Sequence, residues 1–333
     1  MSTSVGLGHL TRLLALAHSL KEHSAIKIKL IIFGEPLEKE ELKSMDTQFI
    51  SLSQNFENLI KTKVNLFNPN VIVFDLHQKF LPINIEKLFV WLKGYAIQLV
   101  SIDSLVDYSH VLDLVWMPSF YFDTKKTPNC TGKLKSGWDS FLIQKRLTAT
   151  RWKPGEKVLI LTGGSDVKNL SKTLPIILDK SLRKGSEAHW VQGPFSMKPK
   201  LPKKQRLLWK IHNAPSYLDE LIVSSNYVLT VFGVSFFEVL QYGIPTVVFS
   251  PYDKKDEQEL IALAKEKVSV VTKNAESAVV GLTNLMDNDN LAKSISQMAL
   301  SKMSVNGTEE LAKAIFDLAA NKEISFTTQL KQG

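Results

Sequence analysis

Close to its amino end the chain reads GLGHLTRLLALAHSL, and the residue there that could do chemistry is His9. Gly6 and Gly8 precede it. Leu10, Leu13, Leu14, Ala17 and Leu20 follow at the spacing of one buried helix face, so a helix is predicted to start near Gly8. A glycine turn at a helix start can aim backbone N–H groups at an anionic or negatively polarised oxygen. The helix dipole there opposes a positive charge on His9, and a neutral imidazole beside a ligand can act as a general base. Spacing alone is also that of a plain turn with a histidine at a helix end.

Two more glycine turns occur further on. In LILTGGSDVKNLS, Gly163 and Gly164 would let the backbone approach a phosphate and Ser165 could donate a hydrogen bond, while Asp166 reads as a helix N-cap. The turn is neither a Walker loop nor a dinucleotide fingerprint. In VFGVSFFEVLQYGIPTVVFSPYDKKDEQE, Gly233, Val234 and Ser235 form a strand-to-helix turn that could hold a diphosphate. Glu238 lies one turn into that helix, where a carboxylate could accept two hydrogen bonds from ribose hydroxyls. It could equally be a buried acid satisfied by backbone donors, since an unpaired acid in so apolar a segment would be costly. Asp256 and Glu259 are spaced as a capping pair, leaving Gln258 to reach sugar hydroxyls.

The elements that must position these residues are strands and helices in alternation. IKIKLIIFG, NVIVFD, IQLVSID and VLDLVWMP form a first series of strands, and Asp75 and Asp103 end two of them. KVLILTGG, AHWVQG, YVLTVFG, IPTVVFS and VSVVT form a second, with a linker around RWKPGE between the series. This predicts an α/β protein of two Rossmann-like doubly wound domains facing a central cleft, over 1–150 and 156–320, with a tail at 321–333. In such sheets ligands bind beyond the carboxyl ends of strands. A central strand normally precedes a first glycine loop, and only Met1 to Val5 precede this one. The expectation is that the native start lies upstream and that an extended chain resists denaturant better than this one.

At 333 residues, 44% hydrophobic and 22% charged, the chain can bury two cores. It has neither an apolar run of membrane-spanning length nor the residue order of a signal peptide. Its single cysteine, Cys130, fits a reducing compartment, and a cytoplasmic location is expected. The net charge of +8 favours anionic partners. Much of it lies in SMKPKLPKKQRLLWK, either a solvated loop or a surface that docks on acidic lipid. Nothing resembles a nucleic-acid-reading helix or sheet. Asp287 to Asp289 read as turn and capping residues, and His18, His23, His110, His189 and His212 lack metal-ligand spacing, so no metal is expected. Oligomeric state is left open.

The set G-x-G-H, G-x-S-x-x-E, YGIPTVVFSP and D-x-Q resembles the GT-B superfamily, MurG-like glycosyltransferases in particular. GLGHLTRLLALA, with Arg12 where MurG-like chains usually have proline, is most similar to the PseG and SpsG group of UDP-sugar hydrolases, as are GGSDVKNLS and SGWDSFLI at 136–143. One departure is FDLHQKF, with Leu76 between Asp75 and His77, where that group commonly has Asp-His-Tyr. The resemblance implies a nucleotide-sugar substrate, UDP-linked, and no cofactor. It implies His9 as the catalytic histidine, the 163–165 and 233–235 turns on the diphosphate, Glu238 on ribose, and Gln258 on sugar or uridine. Gly6, Gly8, Arg12, Asp75 and Asp103 complete the expected substrate site. Hydrolysis with inversion is the expected reaction; transfer to a sugar, lipid or protein acceptor, or binding without turnover, are the alternatives.

Overall fold

The computed structural model describes residues 8–23, 26–36, 39–51, 55–77, 81–122, 134–252 and 255–330, with side chains as far as residue 320. The chain forms two compact units.

The first unit contains strands β1 (Lys29–Phe33), β2 (Asp46–Ile50), β3 (Val71–Phe74), β4 (Gln98–Ile102), β5 (Leu114–Trp116) and β6 (Leu134–Lys135). Its helices are α1 (Gly8–His23), α2 (Glu40–Lys43), α3 (Phe56–Phe67) and α4 (Ile85–Gly94). All pairings are parallel, in two sheets of order β1-β2 and β3-β4-β5-β6. Alternation along β4 sends Leu99 to a core shared with α3 and α4, and Val100 and Ile102 to one shared with Leu16 and Leu20 of α1. Both faces of this sheet are therefore covered, as a parallel sheet requires.

The second unit contains β7 (Lys157–Leu161), β8 (Glu187–Gln192), β9 (Leu208–Asn213), β10 (Tyr227–Val231), β11 (Thr246–Phe249) and β12 (Val270–Val271). With them are α5 (Leu174–Ser181), α6 (Asp219–Val223), α7 (Val234–Leu240), α8 (Glu257–Glu266), α9 (Ala275–Met286) and α10 (Asp289–Lys302). The six parallel strands run β9-β8-β7-β10-β11-β12. Chain order thus reverses between β7 and β10, the doubly wound arrangement with its switch point there. One face packs on α5, α9 and α10 through Leu174, Leu178, Leu282 and Ile295, the other on α6 and α7 through Ile222 and Val239.

Three sequence expectations change. The second domain is not continuous over 156–320, because α11 (Gly307–Leu330) belongs with the first unit. Leu311, Ala312 and Ile315 bury against Val100, Ile102 and Trp116 there, an apolar stripe that could not stay in water. The basic stretch is not loop throughout, since its end forms edge strand β9, with Trp209 and Ile211 on the core and Lys210 exposed. The helix expected at Asp166 is absent. Asp166 accepts hydrogen bonds from Leu170 and Ser171 N–H and so caps a single 3₁₀ turn, and α5 begins only at Leu174. Asp287 and Asn288 do form the turn between α9 and α10, with Asn288 capping α10. No helix among the described residues is long and apolar enough to cross a membrane.

On β8 and β9 two histidines form a chain of hydrogen bonds. His212 Nε2 lies 3.1 Å from His189 Nδ1, and His189 Nε2 lies 3.1 Å from Glu187 Oε2. Burial first, and then the charges of Lys157 and Lys210, lower the pKa of both rings; Glu187 opposes this only for His189. Their neutral forms are the ones the fold accommodates. The unfolded chain therefore takes up protons more readily just below the ordinary histidine value of 6.5, and stability is full above that pH and falls as pH drops through it. The thermal midpoint should fall on acidification below 6.5, and a His189→Gln, His212→Gln variant should show a shallower fall; an unchanged slope would refute the assignment.

Candidate functional site

The first unit brings together four residues that sequence reasoning found separately. His9 and Arg12 are one turn apart at the start of α1, so both project from the same side. Asp75 follows β3 and Asp103 follows β4, and these neighbouring parallel strands deliver their carboxyl ends to one edge. Arg12 donates from Nε to Asp75 Oδ2 at 2.6 Å, from Nη2 to Asp75 Oδ1 at 2.5 Å, and from Nη1 to Asp103 Oδ2 at 2.8 Å. Its ion pairs are thus with carboxylates of its own unit.

His9 Nδ1 lies 2.5 Å from Asp75 Oδ1. A carboxylate oxygen and a ring nitrogen this close need a proton between them, so Nδ1 carries the hydrogen and donates it. Nη2 of Arg12 lies 2.9 Å from the same nitrogen and 2.5 Å from Asp75 Oδ1, so its shorter bond is to the carboxylate. The network thereby assigns the lone pair of the neutral ring to Nε2. The Asp75 side chain is wholly buried while that of His9 retains 25% exposure, so the base side of the ring can be reached and the orienting side cannot.

Burial by itself would raise the pKa of Asp75, but hydrogen bonds from Arg12 and His9, with the charge of Arg12, hold it below the ordinary carboxylate value. Burial likewise works against the charge of Arg12, which Asp75 and Asp103 more than restore. The anion is therefore fixed beside the imidazole. His77, which the sequence offered only as part of a departure from a family pattern, has its ring centre 6.2 Å from that of His9 and is exposed. Its signal was position, two residues beyond Asp75 in a loop at a strand's carboxyl end.

The second unit gathers the other expected residues. Gly163, Gly164 and Ser165 follow β7, while Gly233, Val234 and Ser235 follow β10, so the two turns flank the switch point. Gly163 has φ +83°, a left-handed conformation open to glycine at little cost. A Cβ on Gly193 would come within 2.5 Å of the Gly164 carbonyl oxygen, so glycine at 193 lets the next connection press against this turn. The Val234 and Ser235 amides open α7 with no carbonyl a turn earlier to accept from them and can serve a ligand, whereas Phe236 N–H already donates to the Gly233 carbonyl at 3.1 Å. Glu238 is half-buried on α7 and Gln258 exposed in the first turn of α8. The expected capping pair does not form: Asp256 makes no cap hydrogen bond and instead accepts from Ser250 Oγ at 2.5 Å. Gly8 begins α1, and Gly6 lies outside the described residues. Among the described residues no group of three or more histidine, cysteine or acidic side chains is placed to hold a metal ion.

The fold is that of the GT-B glycosyltransferases, two Rossmann-like α/β domains with parallel sheets. The chain is similar to MurG of Acinetobacter baumannii, with TM-score 0.64 and 14% identity over 93% of this chain and 96% of that one. It is similar to UGT2 of Phytolacca americana, solved with UDP-2-fluoroglucose and pterostilbene, with TM-score 0.61 and 14% identity over 95% and 98%. The spinosyn forosaminyltransferase SpnP matches with TM-score 0.62 and 11% identity over 94% and 96%. No protein-family model matches the chain, and no curated protein sequence does.

A prediction separates the two carboxylates around Arg12. Asp75 is buried with it, so Asp75→Ala would strand a buried charge and should cost about 3–5 kcal/mol in chemical denaturation. The Asp103 side chain is 44% exposed, and Asp103→Ala should cost about 1 kcal/mol or less. Equal losses would contradict the division of roles.

Proposed function

We propose that the protein acts on a UDP-activated amino sugar, displacing UDP from the anomeric carbon with inversion, and that the nucleophile is water. The observation that carries this reading is the buried Asp75 bound to His9 Nδ1, which leaves Nε2 as the base. Water loses a proton to Nε2 as its oxygen bonds to the anomeric carbon. The bond from that carbon to the diphosphate oxygen breaks, and UDP leaves with the electron pair. Asp75 stabilises the imidazolium formed, as an orienting carboxylate does in other histidine-based sites. The leaving diphosphate draws on backbone N–H groups of the 163–165 and 233–235 turns, where preorganised donors stabilise developing charge. Glu238 takes the ribose hydroxyls and Gln258 the sugar or uridine. The reading assigns no step to a cofactor. It places the protein in the cytoplasm, in keeping with its single cysteine.

Water is favoured as acceptor by the likeness of GLGHLTR, with Arg12, to the UDP-sugar hydrolases. Transfer to another acceptor is the second reading, favoured by the overall likeness to solved glycosyltransferases. Both use the same donor and base.

A panel of UDP-amino sugars, incubated with and without candidate acceptors, tests the proposal. UDP release without acceptor, giving the inverted free sugar by NMR of the anomeric proton, is expected. Release only with an acceptor would establish the transferase, and UDP binding without turnover of any donor would refute catalysis. His9→Ala should lower turnover by about 100 to 10,000-fold while UDP affinity is retained; loss of both together would count against the base.

A further inference from the structure

Residues 193–207 join β8 to β9 without a helix, although crossovers between parallel strands usually contain one. Irregular connections of this length are uncommon in compact domains and are often functional. This one carries Lys198, Lys200, Lys203, Lys204 and Arg206, all exposed, and Lys210 follows on β9. No acidic residue lies between 193 and 210. Hydrogen bonds fix its course. Phe195 N–H donates to the Gly164 carbonyl at 3.0 Å and Lys200 N–H to that of Ser171 at 2.8 Å. Buried Asp179 accepts from Arg206 N–H at 3.0 Å, Leu207 N–H at 3.1 Å and Trp209 Nε1 at 3.0 Å.

These bonds also enlarge the basic area. Arg206 Nη1 reaches the Lys180 carbonyl at 2.6 Å, Gly185 N–H donates to the Arg206 carbonyl at 2.9 Å, and Ser171 adjoins Lys172. The connection thus runs beside the exposed cations Lys172, Lys180 and Lys184. Of these cations, Lys210 pairs with Glu187, at 3.1 Å. Exposed apolar side chains accompany the charge: Phe195 is 37% exposed, Met197 53% and Leu208 58%. Cations alone would suit any polyanion. Combined with a phenylalanine, a methionine and a leucine held out in water, they suit the headgroup region of a bilayer, where apolar groups enter and lysine stems extend to the phosphates.

We propose that the connection 193–207 and strand β9 form a preformed docking surface for an acidic lipid bilayer. Single-stranded nucleic acid would call for a row of stacking aromatics; Trp209 is packed on the core, leaving Phe195 alone. The proposal is independent of the donor and base chemistry above, and its test involves neither.

The test is co-sedimentation of the full chain with vesicles of phosphatidylcholine alone or of equimolar phosphatidylcholine and phosphatidylglycerol, with duplex DNA in a parallel assay. Binding to the acidic vesicles alone, weakened by salt, is expected. Each lysine near such a surface strengthens binding about fivefold, so Gln at 198, 200, 203 and 204 together should weaken it roughly several hundred-fold, while Arg at the same positions should preserve it. Phe195→Ser with Met197→Ser should weaken it about tenfold. All these side chains are exposed, so the variants should keep the parent's thermal midpoint. No binding to acidic vesicles, tighter binding to DNA than to vesicles, or indifference to Phe195→Ser with Met197→Ser would overturn the proposal.

Discussion

A guanidinium buried near the start of a helix is the constraint on which the first unit's site depends. Arg12 is nine-tenths removed from water, and a charge so placed is tolerable only with carboxylates against it. Asp75 and Asp103 meet that need, which draws the start of α1 to the carboxyl ends of β3 and β4. The carboxylate that neutralises Arg12 also accepts the hydrogen bond from His9 Nδ1–H, one turn earlier. Neutralisation and orientation are therefore one arrangement, and His9 inherits its geometry from an ion pair that has no need to touch substrate.

The second unit meets a different constraint. Its strand order reverses between β7 and β10, so the chain leaves these neighbours in opposite senses and a crevice opens between their turns. The turn after β7 works without a helix behind it, because Asp166 directs the next amides into a 3₁₀ turn. Donors for an anion at that turn must come from its glycine backbone and Ser165, whereas the turn after β10 adds the amides of α7. The tight contact of Gly193 with the Gly164 carbonyl then holds the turn in place from the neighbouring connection.

Much of this was legible in residue order. Short apolar runs marked nine strands, and glycine turns at strand ends pointed to the residues that gather in each unit. What escaped notice did so for physical reasons. Strand β2, DTQFI, has a polar first half and one fully buried residue, so it lacks a period-2 signal. Strand β9 is an edge strand whose outward residues include lysine, so its first half, LWK, reads with the basic stretch as solvated loop or lipid-docking surface. The helix expected at Asp166 was lost to a local hydrogen bond that competes with helix formation. The return of α11 to the first unit follows from a long-range match between its apolar stripe and β4, which no local window contains. Arg12 and Asp75 were each singled out, but their pairing joins positions more than sixty residues apart and only the fold reveals it.

The central claim is that Asp75 holds the proton on His9 Nδ1 and so leaves Nε2 as the base. Long-range ¹H–¹⁵N NMR of the histidine rings, recorded at a pH where they are neutral and assigned by comparison with His9→Ala, tests it directly. The account predicts that His9 is the Nδ1–H tautomer and that Asp75→Ala shifts the ring toward the Nε2–H form that free imidazoles favour. An Nε2–H ring in the parent protein, or a tautomer unchanged without Asp75, would contradict it.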